Sequence, residues 1–493
     1  MFPKDYATLD PSSNDTILSE IQKLALEIIY EAENVVKTGG DWDSKMTEIT
    51  SKVLETKIKI LSLPRHRVEE ITPLAIAMVD NVIQEKTENC MGSIRYMELC
   101  TRLLWTVIYS SLTKVDISKF KSNITQSILI ALLEFLQSTT TLKFPEINNP
   151  VFIEELRFRI TGFPNLRYFD FKTLCTDEII QSICENCPRI LVILVNCSKR
   201  ITDKSVPFLS SLQKLKTLNI HSTSISTKGY REIISRLKHL HNICWNNEGD
   251  DLITDIETQD LSKIKYFAGN FSSSETLVTK CPNIISLCLI KVETDLLSLS
   301  ALKSLEVLHM FFLNFSNYNV RHLFPNIAHI KELEFGHIDQ LDICLLIKNC
   351  VFLKKLTVQN SVFSENEMVI NPASEHFSNL RNLTLISNTN YHWYASNVKY
   401  YNNLSSLTSD IEDVLVYQYF DDVLSNNGFK NLEIFIFTKS KNLDIRTALR
   451  LMKSCPKLRV LGKLGSWGSM NDVYIKYIRN MVKVKKYNLE LII

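Results

Sequence analysis

Apolar residues along this chain follow a short phrase, apolar-x-x-apolar-x-apolar, that returns about every 25 positions from near residue 112 to the last residue. Clear copies begin at Leu166, Ile190 and Leu215. Further copies begin at Ile284, Leu305, Ile330, Leu353, Leu380, Leu432 and Leu458. A fixed period of this kind predicts a stacked-repeat architecture, because one unit cannot bury its apolar side without a neighbour.

Each copy of the phrase predicts one short β-strand. Side chains of a strand alternate between two faces, so phrase positions one, four and six point into the core, and positions three and five point outward. The expected strands start at Leu112, Thr139, Leu166, Ile190, Leu215, Leu240, Ile264, Ile284, Leu305, Ile330, Leu353, Leu380, Leu404, Leu432, Leu458 and Val484. Helical spacing between strands is clearest at Asp177–Cys184, Lys228–Leu237, Leu341–Ile347 and Ile445–Met452. The fold class is therefore α/β, a parallel sheet with helices on its other side, with about 14–16 repeats in residues 111–493.

The residues before the repeats have helical spacing throughout. Helices are expected over residues 15–36, 44–61, 68–85 and 94–110. Pro73 lies inside the third, which predicts either a later start or a kink. We expect residues 1–13 to form a flexible tail. Residues 14–110 are expected to form an all-helical region that either caps the open end of the repeat core or docks a second partner.

The segment Asn196–Val206 carries a more specific motif. It reads N-C-S-K-R-I-T-D-K-S-V and follows Cys187-Pro188-Arg189-Ile190. The same opening returns at Cys281-Pro282 and Cys455-Pro456, and Cys350 keeps the cysteine alone. These repeats resemble the leucine-rich-repeat superfamily, in the cysteine-containing subclass found in F-box proteins. The resemblance covers the repeat part of the chain and implies a ribonuclease-inhibitor-like horseshoe, with the parallel sheet on the concave face and helices on the convex face.

The same resemblance implies a function. In F-box proteins, such an array selects substrates for a cullin-type ubiquitin ligase, so this chain would be a substrate-binding subunit with a cullin adaptor and a ubiquitination substrate as partners. No clear F-box is present, since Pro73 and a missing Trp pattern depart from it after the opening-like Leu63-Pro64. Residues 44–110 are thus either a diverged F-box or a plain cap. The alternative function is an intracellular scaffold or regulatory leucine-rich-repeat protein unrelated to ubiquitin.

The charge balance changes this picture little. The chain has 56 basic and 54 acidic residues and a net charge of +2, which gives no general reason to expect nucleic acid or an anionic membrane as a partner. The first residues do not resemble a secretory signal, and no apolar run reaches the length of about 18 residues that a membrane span needs. We therefore expect a location in the cytoplasm or the nucleus, with the 12 cysteines as thiols.

Candidate chemistry is sparse. Cys184-Glu185-Asn186-Cys187 is a C-x-x-C that suggests a zinc or redox site, but Cys187 also fills the repeat position of Cys281, Cys350 and Cys455, which favours packing at a helix end. No phosphate-binding loop, zinc-protease motif or nucleophile elbow appears. We expect no catalytic residues, metal, cofactor or small-molecule ligand, and so no enzyme.

The outward phrase positions and an aromatic-rich segment are the candidate partner-binding residues. Most outward positions are small or polar, but Ile434, Ile436 and Val460 place apolar groups there, as partner sites often do. Trp393 and Tyr394 lie in the aromatic-rich segment, which runs from Tyr391 to Tyr401, and both residue types are common interface anchors. The predicted protein-binding set is Tyr168, Asp170, Asn219, Glu332, Glu334, Lys355, Trp393, Tyr394, Ile434, Ile436 and Val460.

Overall fold

A computed structural model describes the protein over residues 18–28, 30, 41–86, 94–108, 112–119, 123–144, 150–245, 252–269, 271–291, 294–315, 318–364, 378–389, 403–410, 424, 429–440, 443–485 and 487–492. The chain divides into two compact units, Met1–Leu240 and His241–Ile493.

The first unit begins with helices. Residues 18–28 are helical, and three longer helices follow at Trp42–Leu61, Arg65–Lys86 and Ile94–Val107. Pro73 lies inside the helix Arg65–Lys86, which is uninterrupted, so the predicted later start of this helix is wrong. A proline inside a helix costs about 3 kcal/mol. Burial of apolar side chains on both sides of it, including Ile71 and Ile76, offsets that cost.

From Lys114 onward, the described part of the chain contains sixteen short strands. They are β1 (Lys114–Asp116), β2 (Thr141–Lys143), β3 (Tyr168–Asp170), β4 (Val192–Leu194), β5 (Thr217–Asn219), β6 (Asn242–Trp245), β7 (Tyr266–Gly269), β8 (Ser286–Ile290), β9 (Val307–Phe311), β10 (Glu332–Gly336), β11 (Lys355–Gln359), β12 (Asn382–Ile386), β13 (Ser406–Ser409), β14 (Ile434–Phe437), β15 (Val460–Gly462) and β16 (Glu490–Leu491). The strands β1–β15 each begin at the third position of the predicted phrase, which confirms the repeat.

The strands form one sheet in each unit. The first unit holds a five-stranded sheet in the order β1 to β5, and the second an eleven-stranded sheet in the order β6 to β16. Every pair is parallel and in register: Leu333 of β10, for example, pairs with Leu308 of β9 and Leu356 of β11. The predicted α/β repeat fold is confirmed.

The prediction of a strand that starts at Val484 is wrong. Val484 ends the helix Asp472–Val484, and β16 begins at Glu490 instead. Asn471 caps this helix by accepting a hydrogen bond from the Tyr474 N–H at 2.9 Å, and Ile475 and Ile478 are buried along one face. Helical spacing therefore prevails over the apolar phrase that Val484 opens.

Among the described residues, helices lie between many of the successive strands. The α-helices are Asn123–Ala131, Pro150–Arg159, Asp177–Asn186, Val206–Ser211, Thr227–Arg236, Thr258–Leu261, Ser274–Lys280, Tyr318–Leu323, Ile343–Asn349, Ile445–Ser454 and Asp472–Val484. Short 3₁₀ helices lie at Ile117–Lys119, Leu132–Phe135, Ile160–Gly162, Asp203–Ser205, Leu297–Ala301, Phe324–Asn326 and Leu464–Ser466. None of the helices in these described ranges is both long enough and apolar enough to cross a membrane.

The core of each unit lies between its sheet and its helices. Phrase residues such as Leu215, Leu218 and Leu333 are fully buried. Burial of one such side chain contributes about 1.5–3 kcal/mol. A single repeat has no closed core of its own. Each unit is therefore stabilised by the same burial, repeated from one repeat to the next.

Cysteines close four of the helices. Cys187, Cys281, Cys350 and Cys455 each follow the last residue of a helix and are almost completely buried. The N–H of each donates to the carbonyl four residues earlier, at 2.8 Å for Cys187 and Ile183. The predicted packing role of this repeat position is confirmed.

Candidate functional site

The outward face of the eleven-stranded sheet holds most of the predicted binding residues. On β10, Leu333 and Phe335 are fully buried, whereas Glu332 and Glu334 alternate with them and are only half-buried. Lys355, on the neighbouring strand β11, pairs with Glu332. Because the ladder is in register, each outward side chain has neighbours from adjacent strands within contact range. The face is therefore an ordered array of side chains.

Four of these side chains form a charged cluster. Lys355 Nζ donates a hydrogen bond to Glu332 Oε1. His309, on β9, places Nδ1 3.5 Å from Glu334 Oε2 and Nε2 3.9 Å from Glu332 Oε1. The two carboxylates of the cluster outnumber its one ammonium. The cluster offers a partner a negative site at Glu334, whose contact in the cluster is the imidazole.

An apolar patch lies on β14 and β15 of the same face. Ile434 pairs with Val460, and Ile436 pairs with Gly462. All three apolar side chains are half-buried, while Phe435 and Leu461 between them are fully buried. The Ile436 side chain lies over Gly462, where an added Cβ would stand 2.8 Å from Ile436 Cγ1. The absence of a side chain at Gly462 thus lets Ile436 lie flat on the sheet.

A row of left-handed residues follows the strands β8 to β12. Lys291, Phe312, His337, Asn360 and Ser387 all have φ between 48° and 57°. The N–H groups of the first four continue the ladder, as from Phe312 to the carbonyl of Gly336 at 2.9 Å. The Ser387 N–H donates instead to the Asp410 carboxylate, at 2.7 Å to Oδ2. The rings of Phe312 and His337 stack with centroids 4.5 Å apart, and Phe312 is 49% exposed. This aromatic pair adds a stacking surface that the repeat phrase did not reveal.

The five-stranded sheet holds the remaining predicted residues. Tyr168 and Asp170 lie on β3, and Asn219 lies two strands away on β5. Lys143 Nζ lies 5.2 Å from the Tyr168 ring centroid. Partial burial raises the pKa of the Asp170 carboxyl and, with the neighbouring Asp170 charge as a smaller cause, that of the Tyr168 hydroxyl. These polar groups form a second outward patch within the first unit.

Two predicted residues cannot be placed. Trp393 and Tyr394 lie outside the described residues. Their role as interface anchors stays a prediction.

Of the two C-x-x-C thiols, Cys187 is buried and Cys184 is half-buried. Burial raises the pKa of both Cys184 and Cys187 to about 12, so these thiols stay protonated at neutral pH. Within the described ranges, no group of three or more His, Cys, Asp or Glu side chains is arranged to hold a metal ion. The geometry favours a packing role for this motif.

The helical region carries an apolar stripe that was not predicted. Leu54, Ile58 and Leu61 follow one another along the helix Trp42–Leu61 and are 44%, 66% and 52% exposed. The buried residues of this helix, such as Val53 and Ile60, lie on a different side of it. The spacing of the three residues is visible in the sequence, but their exposure depends on which helix face packs.

In-register parallel strands, fully buried leucines at a fixed position and helices between strands together define a leucine-rich-repeat fold. No protein-family model and no curated protein matches the chain. Solved structures similar to it include an internalin of Listeria monocytogenes, with 19% identity over 66% of this chain and 87% of the other and a TM-score of 0.37. A leucine-rich-repeat protein of Leptospira interrogans has 12% identity over 78% and 96%, with a TM-score of 0.31. A structure of the yeast Rad7–Elc1 complex has 12% identity over 92% and 98%, with a TM-score of 0.41.

Proposed function

We propose that the chain is a non-enzymatic protein-recognition module that binds its partner on the outward face of the eleven-stranded sheet. The observation that carries this proposal is the in-register array of half-buried side chains on that face, with a charged cluster at Glu332, Glu334 and Lys355 and an apolar patch at Ile434, Ile436 and Val460. A backbone ladder holds these groups in place before binding, which lowers the entropic cost of association.

The chemistry of the face indicates the kind of segment that it binds. Glu334 attracts a basic side chain, and the patch around Ile436 accepts an apolar one. Charge contributes mainly orientation and association rate, whereas a desolvated apolar contact supplies most of the affinity. The partner is thus a protein segment that carries basic and apolar residues.

The proposal extends to a particular role, the substrate-binding subunit of a cullin-type ubiquitin ligase. The sequence resemblance of the repeats supports this role, and so does the exposed stripe of Leu54, Ile58 and Leu61 in the helical region. A helix-borne apolar stripe is suited to contact a helical adaptor. In this arrangement the helical region binds the adaptor and the sheet face binds the substrate.

Affinity purification with mass spectrometry tests both parts. Replacement of Ile436 by Ser is expected to reduce recovery of the bound substrate protein, and replacement of Phe352, which is exposed outside the sheet face, by Ser provides the control. Unchanged recovery from the Ile436→Ser protein would reject the sheet face as the binding site.

The ligase role has its own variant. The triple replacement Leu54→Ser, Ile58→Ser and Leu61→Ser is expected to abolish recovery of a cullin adaptor while the substrate is retained. If the unmodified chain recovers stable partners without any cullin adaptor, the ligase role is wrong and the scaffold function replaces it.

A further inference from the structure

The helix Asp472–Val484 presents apolar residues on two opposite sides. Ile475 and Ile478 are 5% and 0% exposed and pack into the second unit. Val473, Tyr477 and Val484 are 70%, 54% and 77% exposed. At about 100° per residue these three side chains fall within roughly 40° of one another, on the side facing away from the core. They form an outer seam along the helix, and Tyr474, which is 39% exposed, borders it.

Basic residues are concentrated in this part of the chain, and two of them lie beside the seam. The sequence from Asp472 to Tyr487 contains five basic residues, Lys476, Arg479, Lys483, Lys485 and Lys486, against the single acidic Asp472. Lys476, Arg479, Lys483 and Lys485 are exposed, and none of the four forms an ion pair among the described residues. Lys476 and Lys483 are seven residues apart and therefore flank the seam on the same side. The chain as a whole has a net charge of only +2, so this is a local concentration of positive charge.

We propose that this outer seam is a docking surface for an acidic amphipathic helix of another protein. An apolar seam along a helix matches the apolar seam of a partner helix, as in coiled-coil packing, and cations beside it pair with carboxylates that flank the partner's seam. The surface is separate from the sheet face, and the inference does not rest on the function proposed above.

Two other occupants fit less well. A second copy of this helix would bring the same positive charges together across the contact, which destabilises the pairing. A helix that lies on a membrane inserts a wide apolar face rich in Leu, Phe or Trp by about 5–10 Å. Here the wider apolar side is committed to the core through Ile475 and Ile478. Charge and shape together favour an acidic protein helix.

The test measures binding of a labelled synthetic helical peptide, with a leucine seam flanked by glutamates, to the full chain by fluorescence anisotropy. We expect binding that weakens as salt rises. The double replacement Lys476→Glu and Lys483→Glu should weaken it at least tenfold, and Tyr477→Ser severalfold. Lys348→Glu, a charge reversal at an exposed residue of the helix Ile343–Asn349 in the second unit, should leave it unchanged.

Controls distinguish the other occupants. A peptide with the same leucine seam flanked by lysines should not bind. Absence of binding by the acidic peptide, or equal binding by the Lys476→Glu, Lys483→Glu protein, would overturn the proposal. Binding to phosphatidylserine–phosphatidylcholine vesicles in place of the peptide would overturn it in favour of a membrane, and self-association lost in Val484→Ser would do so in favour of a second copy. All these variants change exposed side chains, and their far-ultraviolet circular dichroism should match that of the unmodified protein.

Discussion

The carboxylate of Asp177 accepts two hydrogen bonds from Thr202, which lies one repeat further along the chain. The Thr202 N–H donates one at 2.9 Å, and its hydroxyl donates the other at 2.7 Å. The carboxylate also accepts one from the Ser205 hydroxyl at 2.5 Å. Asp203 repeats the arrangement by accepting from the N–H of Ser226 at 2.8 Å. Within the Ile-Thr-Asp motif, threonine therefore caps the following helix and aspartate binds the next repeat.

Replacement of Asp177 by Ala is expected to lower the free energy of unfolding of the first unit by about 1–3 kcal/mol, because the Thr202 N–H and the buried Ser205 hydroxyl lose their acceptor. Urea unfolding followed by circular dichroism measures the change. Glu155→Ala, on an exposed position of the same unit, should shift stability by less than about 0.5 kcal/mol. Equal loss in the two variants would contradict the role of Asp177.

Two glycines provide a matched pair in which only one should tolerate a side chain. Gly269 has φ of +147°, and an added Cβ would lie 1.7 Å from the Trp245 carbonyl oxygen, whereas a Cβ at Gly162 meets nothing within 4 Å. Gly269→Ala is expected to cost on the order of 2–5 kcal/mol through strain and overlap. Gly162→Ala should be neutral or slightly stabilising. Thermal unfolding compares them, and similar melting temperatures for both variants would refute the steric argument.

Lys57 should make stability depend on alkaline pH. Its Nζ lies 3.2 Å from the Trp105 ring centroid and donates to the Trp105 carbonyl at 2.6 Å. Desolvation lowers its pKa from 10.5 to about 8. Between these values the unfolded chain binds more protons than the folded one, so this residue makes stability rise with pH from about 8 to about 10.5. Below pH 8 its unfavourable contribution is fully present.

In the Lys57→Met protein, the increase in stability with pH that Lys57 causes is expected to be absent. Urea midpoints measured at neutral pH and near pH 9.5 give the difference between variant and unmodified protein, which removes the contribution of other titrating groups. Lys216→Met, at an exposed position of the same unit, should keep the full rise. An identical pH dependence in Lys57→Met and the unmodified protein would exclude the proposed linkage.

Thiol alkylation should separate exposed from packed cysteines. Cys197 is exposed, whereas burial raises the pKa of Cys187 to about 12, so near pH 8 a thiol reagent is expected to modify Cys197 far sooner. Mass spectrometry of the two peptides over time measures both rates. Rapid modification of Cys184 and Cys187 would instead indicate a redox role for the C-x-x-C, and stoichiometric zinc in the purified protein would indicate a metal role.

The strand frame could be predicted because its signal is repeated. Buried residues such as Leu218, Leu333 and Leu356 recur at one phrase position, and the strand always starts one residue before them. Near Val484 the sequence also favours a capped helix, and the helix forms there instead of a strand. A repeat is thus most predictable where neighbouring copies reinforce it, and least where one copy stands beside another strong local preference.

The candidate site was only partly predictable. Alternation gave the outward direction of Glu332, Glu334 and Ile436, but it could not show that His309 lies between two carboxylates, because this contact depends on register between strands. The left-handed backbone of Phe312 and His337 was beyond the sequence signal, since residues other than glycine seldom adopt it. There the continuing hydrogen-bond ladder imposes the conformation.

The strand ladder keeps its register although the connections differ in length. Asn382, Ser406 and Ile434 open successive strands spaced by 24 and then 28 residues, yet all three stand opposite one another. Mutation can therefore lengthen or rewrite a connection without displacing the neighbouring repeats. Over evolutionary time such a protein can diversify what it touches while the scaffold beneath stays constant.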